Sequence, residues 1–417
     1  MKRKLFRQTA NEWQNNVWLA IELLIVSVVM WFVSDYIFTN ISIYTSPRGF
    51  NTDHCYLIGY RELNDKSPDY AGKLNKAERS DNLLRLLELL EKRPEIECVA
   101  MGQNAYFYNH SNSGNHMETD TFNTGNYYFL RRLVSPDFTK VFRIRGANGE
   151  SPEELAEILR NNPRSFLISD NAFSHYGINH MKDFIGHEFT SHATNDTLVL
   201  AAAFIPARYD DYNSEDMAHS MIFTCSPDDY IYLNELVVRV RDNMDHNFIE
   251  NLMKDAPTTL RSGNYFISSV QSFDDIREIH QRDYDADLRN YFIGAAFLAL
   301  NIFLGLLGTF WFRTQQRVPE IAIRKANGAT RSDIFRRVIS EGELILLLVT
   351  PFAAAIDWGL TKMELNTYYH GTYFEPVRFI SCLLIAWGLM ALMIFLGTVI
   401  PANRAMNTAP AKALGEE

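Results

Sequence analysis

The sequence predicts an α-helical membrane protein with four transmembrane helices and a large α+β extracytoplasmic domain inserted between spans 1 and 2. Three observations predict it. Four long apolar runs cover residues 17–38, 291–312, 344–360 and 379–400, each close to the roughly 17–25 residues that a helix needs to cross a hydrocarbon core. About 250 residues of ordinary globular composition separate the first run from the second. Lys and Arg concentrate beside the apolar runs, although the whole chain carries a net charge of -10.

The first element is a cytoplasmic N-terminal segment, 1–16, with Lys2, Arg3, Lys4 and Arg7, followed by span 1 at 17–38. That run exceeds the usual core of a secretory signal, and Trp31, Phe32 and Tyr36 stand where small residues would mark cleavage, so it reads as a retained anchor. The segment between Arg313 and Arg337 holds seven basic residues against Glu320 and Asp333. Basic loops stay on the cytoplasmic side. Four spans then place both termini in the cytoplasm, the 39–290 domain outside, and an external loop at 361–378.

The external domain has 25 Lys and Arg against 38 Asp and Glu, a net charge of -13, which excludes nucleic acid as its partner. It opens with a strand pattern in "HCYLIGY". Leu83, Leu86, Leu87 and Leu90 then recur on one helical face, with Ser80 or Asp81 as the expected cap. "ECVAMGQNAYFY" follows as a second strand. "YIYLNELVVRVRD" reads as an alternating strand, "MDHNFIENLMKDA" as an amphipathic helix stopped by Pro257, and "NYFISSVQSF" as a last strand. Two strand–helix–strand units therefore form a base from 39–104 and 226–290, and 105–225 is read as an inserted subdomain. The stretch 274–290 is helical in pattern and runs without a breaker into span 2 at 291–312. Cys55, Cys98 and Cys225 are an odd external set; a Cys55–Cys98 bridge and three buried thiols are the alternatives, the thiols favoured.

Candidate chemistry is sparse. His175, His180, His187, Glu188 and His192 cluster in "HYGINHMKDFIGHEFTSH", and "HEFTSH" is near the zinc motif H-E-x-x-H. Its histidines are five apart, which on a helix turns them about 140° from one another, so surface histidines are the preferred reading and no metal site is assigned. No phosphate loop of the G-x-x-x-x-G-K-[ST] type and no G-x-S-x-G elbow occurs, so no catalytic residue is assigned and no cofactor is expected in this chain. Glu22, Asp35 and Asp357 fall within apolar runs, where an ionisable group is a functional candidate by default; structural or interfacial roles are favoured.

The densest information lies at 313–340. Pro319 suits the first turn of a helix "PEIAIRKA", and Gly328 suits a position just past its end. Thr330 and Asp333 form a capping box that opens a second helix, on which Ile334, Phe335, Val338 and Ile339 make one face while Arg336 and Arg337 face away. Holding anionic lipid needs charge but no defined corner, so the pattern reads as a docking element for a partner protein. Span 3 (341–360), span 4 (379–400) and a cytoplasmic tail (401–417) complete the chain; Pro351 and Asp357 make span 3 the least regular.

The stretch "RVPEIAIRKANGATRSDIFRRVISEGELILLL" resembles the cytoplasmic motif of the MacB/FtsX-like family of ABC transporter permeases. Arg317, Glu320, Ile321, Ile323, Arg324, Lys325, Ala326, Gly328, Ala329 and Ile334 match it. The ending, through Pro401, Ala402, Arg404, Ala405, Pro410, Ala413 and Leu414, is similar to the family's ending, and "VSPDFTKVFRI" and "FLISDNAFSHYGINHMKDFIGHEF" resemble more loosely a MacB-type periplasmic core. Span 3 departs from the family through Pro351, Asp357 and Trp358. The resemblance implies a mechanotransmission permease of the bacterial inner membrane, with its large domain periplasmic. It implies two permease chains, identical or paralogous, each gripping a separate cytoplasmic ABC ATPase through the ten matched residues. ATP and Mg would sit on that ATPase, a periplasmic adaptor would be a further partner, and the task would be export, lipoprotein handling or envelope regulation. The second reading is a membrane-anchored sensor or scaffold whose external domain binds a ligand.

Overall fold

The computed structural model describes residues 13–109, 113–119, 129–191, 196–214, 219–363 and 376–407. Lys2, Arg3, Lys4, Arg7, His192, most of the 361–378 loop, Pro410, Ala413 and Leu414 lie outside these residues. The chain divides into two compact units, one formed by Met1–Ser42 with Asp285–Glu417, the other by Ile43–Tyr284.

The Ile43–Tyr284 unit is built on one twelve-stranded sheet. Its base holds β1 (Cys55–Glu62), α2 (Lys76–Glu91), β2 (Ile96–Gln103), β10 (Glu235–Val240), α5 (Phe248–Thr259) and β12 (Tyr265–Ser272). The strands stand in the order β12-β1-β10-β2, every neighbouring pair antiparallel. Each strand–helix–strand unit is therefore split, its two parallel strands separated by a strand of the other unit, the ferredoxin-like β-α-β-β-α-β arrangement.

Strand periodicity explains the core. Tyr56, Ile58, Val99, Met101, Leu236 and Val238 face one side, where they meet Leu83, Leu86, Leu87 and Leu90 of α2 and Phe248 and Leu252 of α5. Cys55, Cys98, Ala100 and Val237 face the other, with Phe138, Val141, Leu155 and Leu159. Successive side chains of a strand point to opposite faces, so strands covered on both sides are buried at every position. Hence β10 is wholly buried rather than alternating, and a 3-10 turn at Pro227–Tyr232 delays its start.

Two other expectations are corrected. Asn75, not Ser80 or Asp81, caps α2, because Asn75 and Glu78 form a reciprocal capping box one turn earlier. Pro257 lies inside α5 rather than ending it.

The segment between the two halves of the base extends the same sheet. β3 (Gly114–Asn115), β4 (Met117–Glu118) and β5 (Phe129–Val134) are followed by α3 (Phe138–Val141) and α4 (Pro152–Asn161), then β6 (Ser165–Ser169), β7 (Glu188–Ser191), β8 (Thr197–Phe204) and β9 (Ser220–Thr224). β5 adds to β2, and the order continues β5-β9-β6-β8-β7-β4, with β5–β9 and β6–β8 parallel. β11 (Arg261–Ser262) is the opposite edge. All four cysteines of the chain are free thiols. Burial pushes both Cys55 and Cys98 up to about 12, so neither is a reactive thiolate near neutral pH.

The other unit holds α1 (Trp13–Thr45) as far as Ser42, α6 (Phe273–Gln316) from Asp285 onward, all of α8 (Arg331–Lys362) and α9 (Pro376–Asn407), and the short α7 (Val318–Ala326). Four of them are long and apolar enough to cross a membrane. Leu19, Leu23 and Trp31 of α1, Leu306 and Phe310 of α6, Leu346 and Val349 of α8, and Phe379, Met390 and Ile394 of α9 form one buried cluster. Ile25, Phe297, Leu300, Phe352 and Leu384 remain exposed, as expected of helices whose outer faces meet lipid rather than water. Gly342 lets α8 approach closely: a Cβ there would lie 2.7 Å from Ile394 Cγ2 and 2.8 Å from Phe310 Cζ. α6 is unbroken from Phe273 to Gln316, as the sequence predicts. α8 also continues through Pro351, and the Thr350 hydroxyl supplies a local bond to the Leu346 carbonyl at 2.7 Å.

Candidate functional site: the elbow between α6 and α8

The elbow is set by local sequence at three points. Arg317 precedes α7, whose first turn carries Pro319, where the missing N–H of proline is no loss. At the other end Gly328 takes φ +92°, a conformation that favours glycine. There the Gly328 N–H donates to the Lys325 carbonyl and the Ala329 N–H to the Arg324 carbonyl, each at 3.0 Å. This is the Schellman pattern. Thr330 then caps α8: its backbone N–H donates to Asp333 Oδ2 at 3.1 Å, and the Asp333 N–H donates to Thr330 Oγ1 at 3.2 Å. Ile321 of α7 and Ile334 of α8 are buried against each other with Ala329 beside them, which fixes the corner.

A chain of ion pairs runs across the inside of the corner. Arg324 Nη2 lies 2.7 Å from Glu320 Oε1, and Arg337 Nη2 lies 3.9 Å from the same oxygen. Arg337 Nε is 3.2 Å from Glu341 Oε1, and Arg317 pairs with the other Glu341 oxygen. Burial raises the Glu320 carboxyl, but the hydrogen bond and charge of Arg324, with Arg317 and Arg337, outweigh it and hold the group below the usual carboxylate range. Two carboxylates thus stitch three guanidiniums around a small pocket of about 40 Å³, which Phe310, Thr314, Ile321 and Val338 also line.

The ten matched residues therefore divide. Arg317, Glu320 and Arg324 belong to the ion-pair chain, Ile321, Ala329 and Ile334 to the hydrophobic corner, and Gly328 to the turn. Ile323 and Ala326 are exposed, and Lys325 is half-buried; Ile323 keeps 53% of its surface. Arg337 corrects the sequence reading: it turns inward onto Glu320 and Glu341 instead of facing away. Glu341 was missed. Its signal was the four-residue spacing from Arg337, which puts the two side chains on one helical face.

Elsewhere, Gly186 takes φ +88° and Glu188 opens β7, so "HEFTS" lies on turn and strand rather than helix. Exposed His180 pairs with Asp170 at 2.7 Å. Among the described residues no group of three or more His, Cys, Asp or Glu is placed to hold a metal ion. Within the helical unit, Thr309 donates to Glu22 at 3.2 Å. Asp35 is buried and receives Arg378 in a two-point bond at 2.7 and 2.6 Å.

Four long apolar helices around one apolar cluster, joined by a doubly capped basic elbow, define a multi-pass membrane protein. Residues 292–410 match the family model of the FtsX-like permease C-terminal domain, and this match supports a permease subunit of the ABC transporter type. That match spans α6 from Phe292 onward, the elbow with α7, and α8 and α9; it does not extend to the Ile43–Tyr284 unit. Compared as a whole with curated proteins, the chain finds no match.

Proposed function

We propose that this permease subunit works by mechanotransmission: a separate cytoplasmic ABC ATPase docks on the elbow, and its ATP-driven closure moves the helices and, through α6, the external domain. The observation that carries the reading is the exposed Ile323 on a corner fixed from behind. An exposed isoleucine on a corner capped at both ends is available to a partner, whereas Arg317, Glu320 and Arg324 are committed to holding the corner. ATP and Mg belong to the partner, and this chain is the non-catalytic member. The chain pairs with a second permease chain in the bacterial inner membrane. The Lys and Arg of the elbow support a cytoplasmic position for that side and both termini, with the acidic domain, read as a MacB-like core, in the periplasm. Export, lipoprotein handling and envelope regulation are the tasks such a machine serves.

The test is affinity purification of the tagged full-length chain from its own membranes. An ABC ATPase should accompany the wild-type chain and be lost with Ile323→Asp, while the variant keeps the wild-type unfolding midpoint. An isolated wild-type chain, with no ATPase bound, would favour the sensor or scaffold instead.

A further inference from the structure

Among the intramembrane acids, Asp357 on α8 stands apart. It is 0% exposed, and both of its carboxylate oxygens are buried with no hydrogen-bond partner among the described residues. Among the described residues, its neighbours do not compensate it. On α1, Asp35 is near enough for its charge to act at Asp357, but it is acidic and already engaged by Arg378 of α9 in two hydrogen bonds. Also on α9, the buried Cys382 brings a thiol and no positive charge. On α6, Tyr291 packs at a tilt against Tyr36, the residue after Asp35, with ring centroids 4.3 Å apart. On α8 itself, the Lys362 ammonium sits 5.7 Å from the centroid of the Trp358 ring, and the Trp358 ring packs edge-on against Phe379.

Asp35 and Arg378 together are neutral, so an ionised Asp357 would be a second negative charge served by a cation already taken. A carboxylate without a paired cation or donor is not stable in a dry interior; it takes up a proton and becomes neutral. We propose that Asp357 is a proton-binding site, protonated while this part of α8 is packed in the bundle and able to release the proton only when α8 shifts to admit water. The ligand is the proton itself. Movement of α8 would thus be linked to proton uptake and release, independently of what docks on the elbow.

The experiment uses the full-length chain in lipid nanodiscs, treated with dicyclohexylcarbodiimide, which adds to carboxylic acids that carry a proton in apolar surroundings. Peptide mass spectrometry should find the adduct on Asp357, lost with Asp357→Asn, and should find Asp35 unmodified because both of its oxygens are held by Arg378. In parallel, the unfolding midpoint of the wild-type chain should fall as pH rises above the unfolded carboxylate value of about 3.9, since over that range the folded state holds a proton that the unfolded state gives up. Asp357→Asn, which is neutral at every pH and of the same shape, should lose that slope. An unmodified Asp357 in mildly acid buffer would overturn the proposal. So would an adduct on Asp35 in its place, or an identical pH slope in wild-type and Asp357→Asn.

Discussion

Arg317, which precedes α7, and Glu341, well inside α8, are paired across the inside of the elbow although twenty-four positions separate them. Glu341 also takes Arg337, so one carboxylate joins the start of the corner to the helix that leaves it. Their side chains are 24% and 17% exposed, so solvent screens the pair only in part. Glu341→Gln should lower stability by about 1–3 kcal/mol, because two guanidiniums lose their shared acceptor. A double-mutant cycle with Arg317→Ala, followed by thermal unfolding in detergent, should return a coupling well above that of an exposed pair. Additive effects would show that the pair does not hold the corner.

Arg378 and Asp35 are more deeply buried, at 8% and 3% side-chain exposure. Arg378→Ala should cost about 3–5 kcal/mol, since it leaves Asp35 without its cation. The double variant Asp35→Asn/Arg378→Ala should recover much of that loss. Thermal unfolding of the three variants, side by side, decides between a pair whose loss is harmful and a site that needs the arginine for its bulk.

Gly342 is a contact glycine. The Cβ of Gly342→Ala would fall 2.7 Å from Ile394 Cγ2 and 2.8 Å from Phe310 Cζ, so α6 and α9 must yield. A loss of about 1–3 kcal/mol is expected from such overpacking. Gly308→Ala meets nothing within 4 Å and should leave the unfolding midpoint unchanged or slightly raised.

Asp211, in the sheet unit, predicts an acid limit. Burial raises its carboxyl, but hydrogen bonds from Gln281, Tyr108 and Arg277, with the charge of Arg277, bring it below its ordinary value. Tyr108 donates to it at 2.8 Å. A lowered folded value means that the contribution is complete above the unfolded carboxylate value of about 3.9 and is lost as pH falls through the folded value. Acid unfolding of the wild-type chain should therefore steepen below about pH 4, and Asp211→Asn should reduce that steepness while lowering stability at neutral pH.

Much of this molecule was legible in the chain. The four apolar runs, the leucine face of α2, the uninterrupted α6, the corner at Pro319 and Gly328 and the Thr330 box all depend on residues within one or two helical turns of each other. Such short spacings carry their own geometry, so the amino-acid order alone determined them. The cap of α2 and the run of α5 through Pro257 went astray only because neighbouring residues offered a competing local signal. Long-range meetings are different. Nothing in residues 55–62 says that β1 will lie between β10 and β12, or that the middle of the chain will extend that same sheet. Arg317 with Glu341, Asp35 with Arg378, and the isolation of Asp357 arise only when separate helices pack. Burial and charge balance are properties of the packed neighbourhood, and a carboxylate reads the same in sequence whether a guanidinium waits across the bundle or none does.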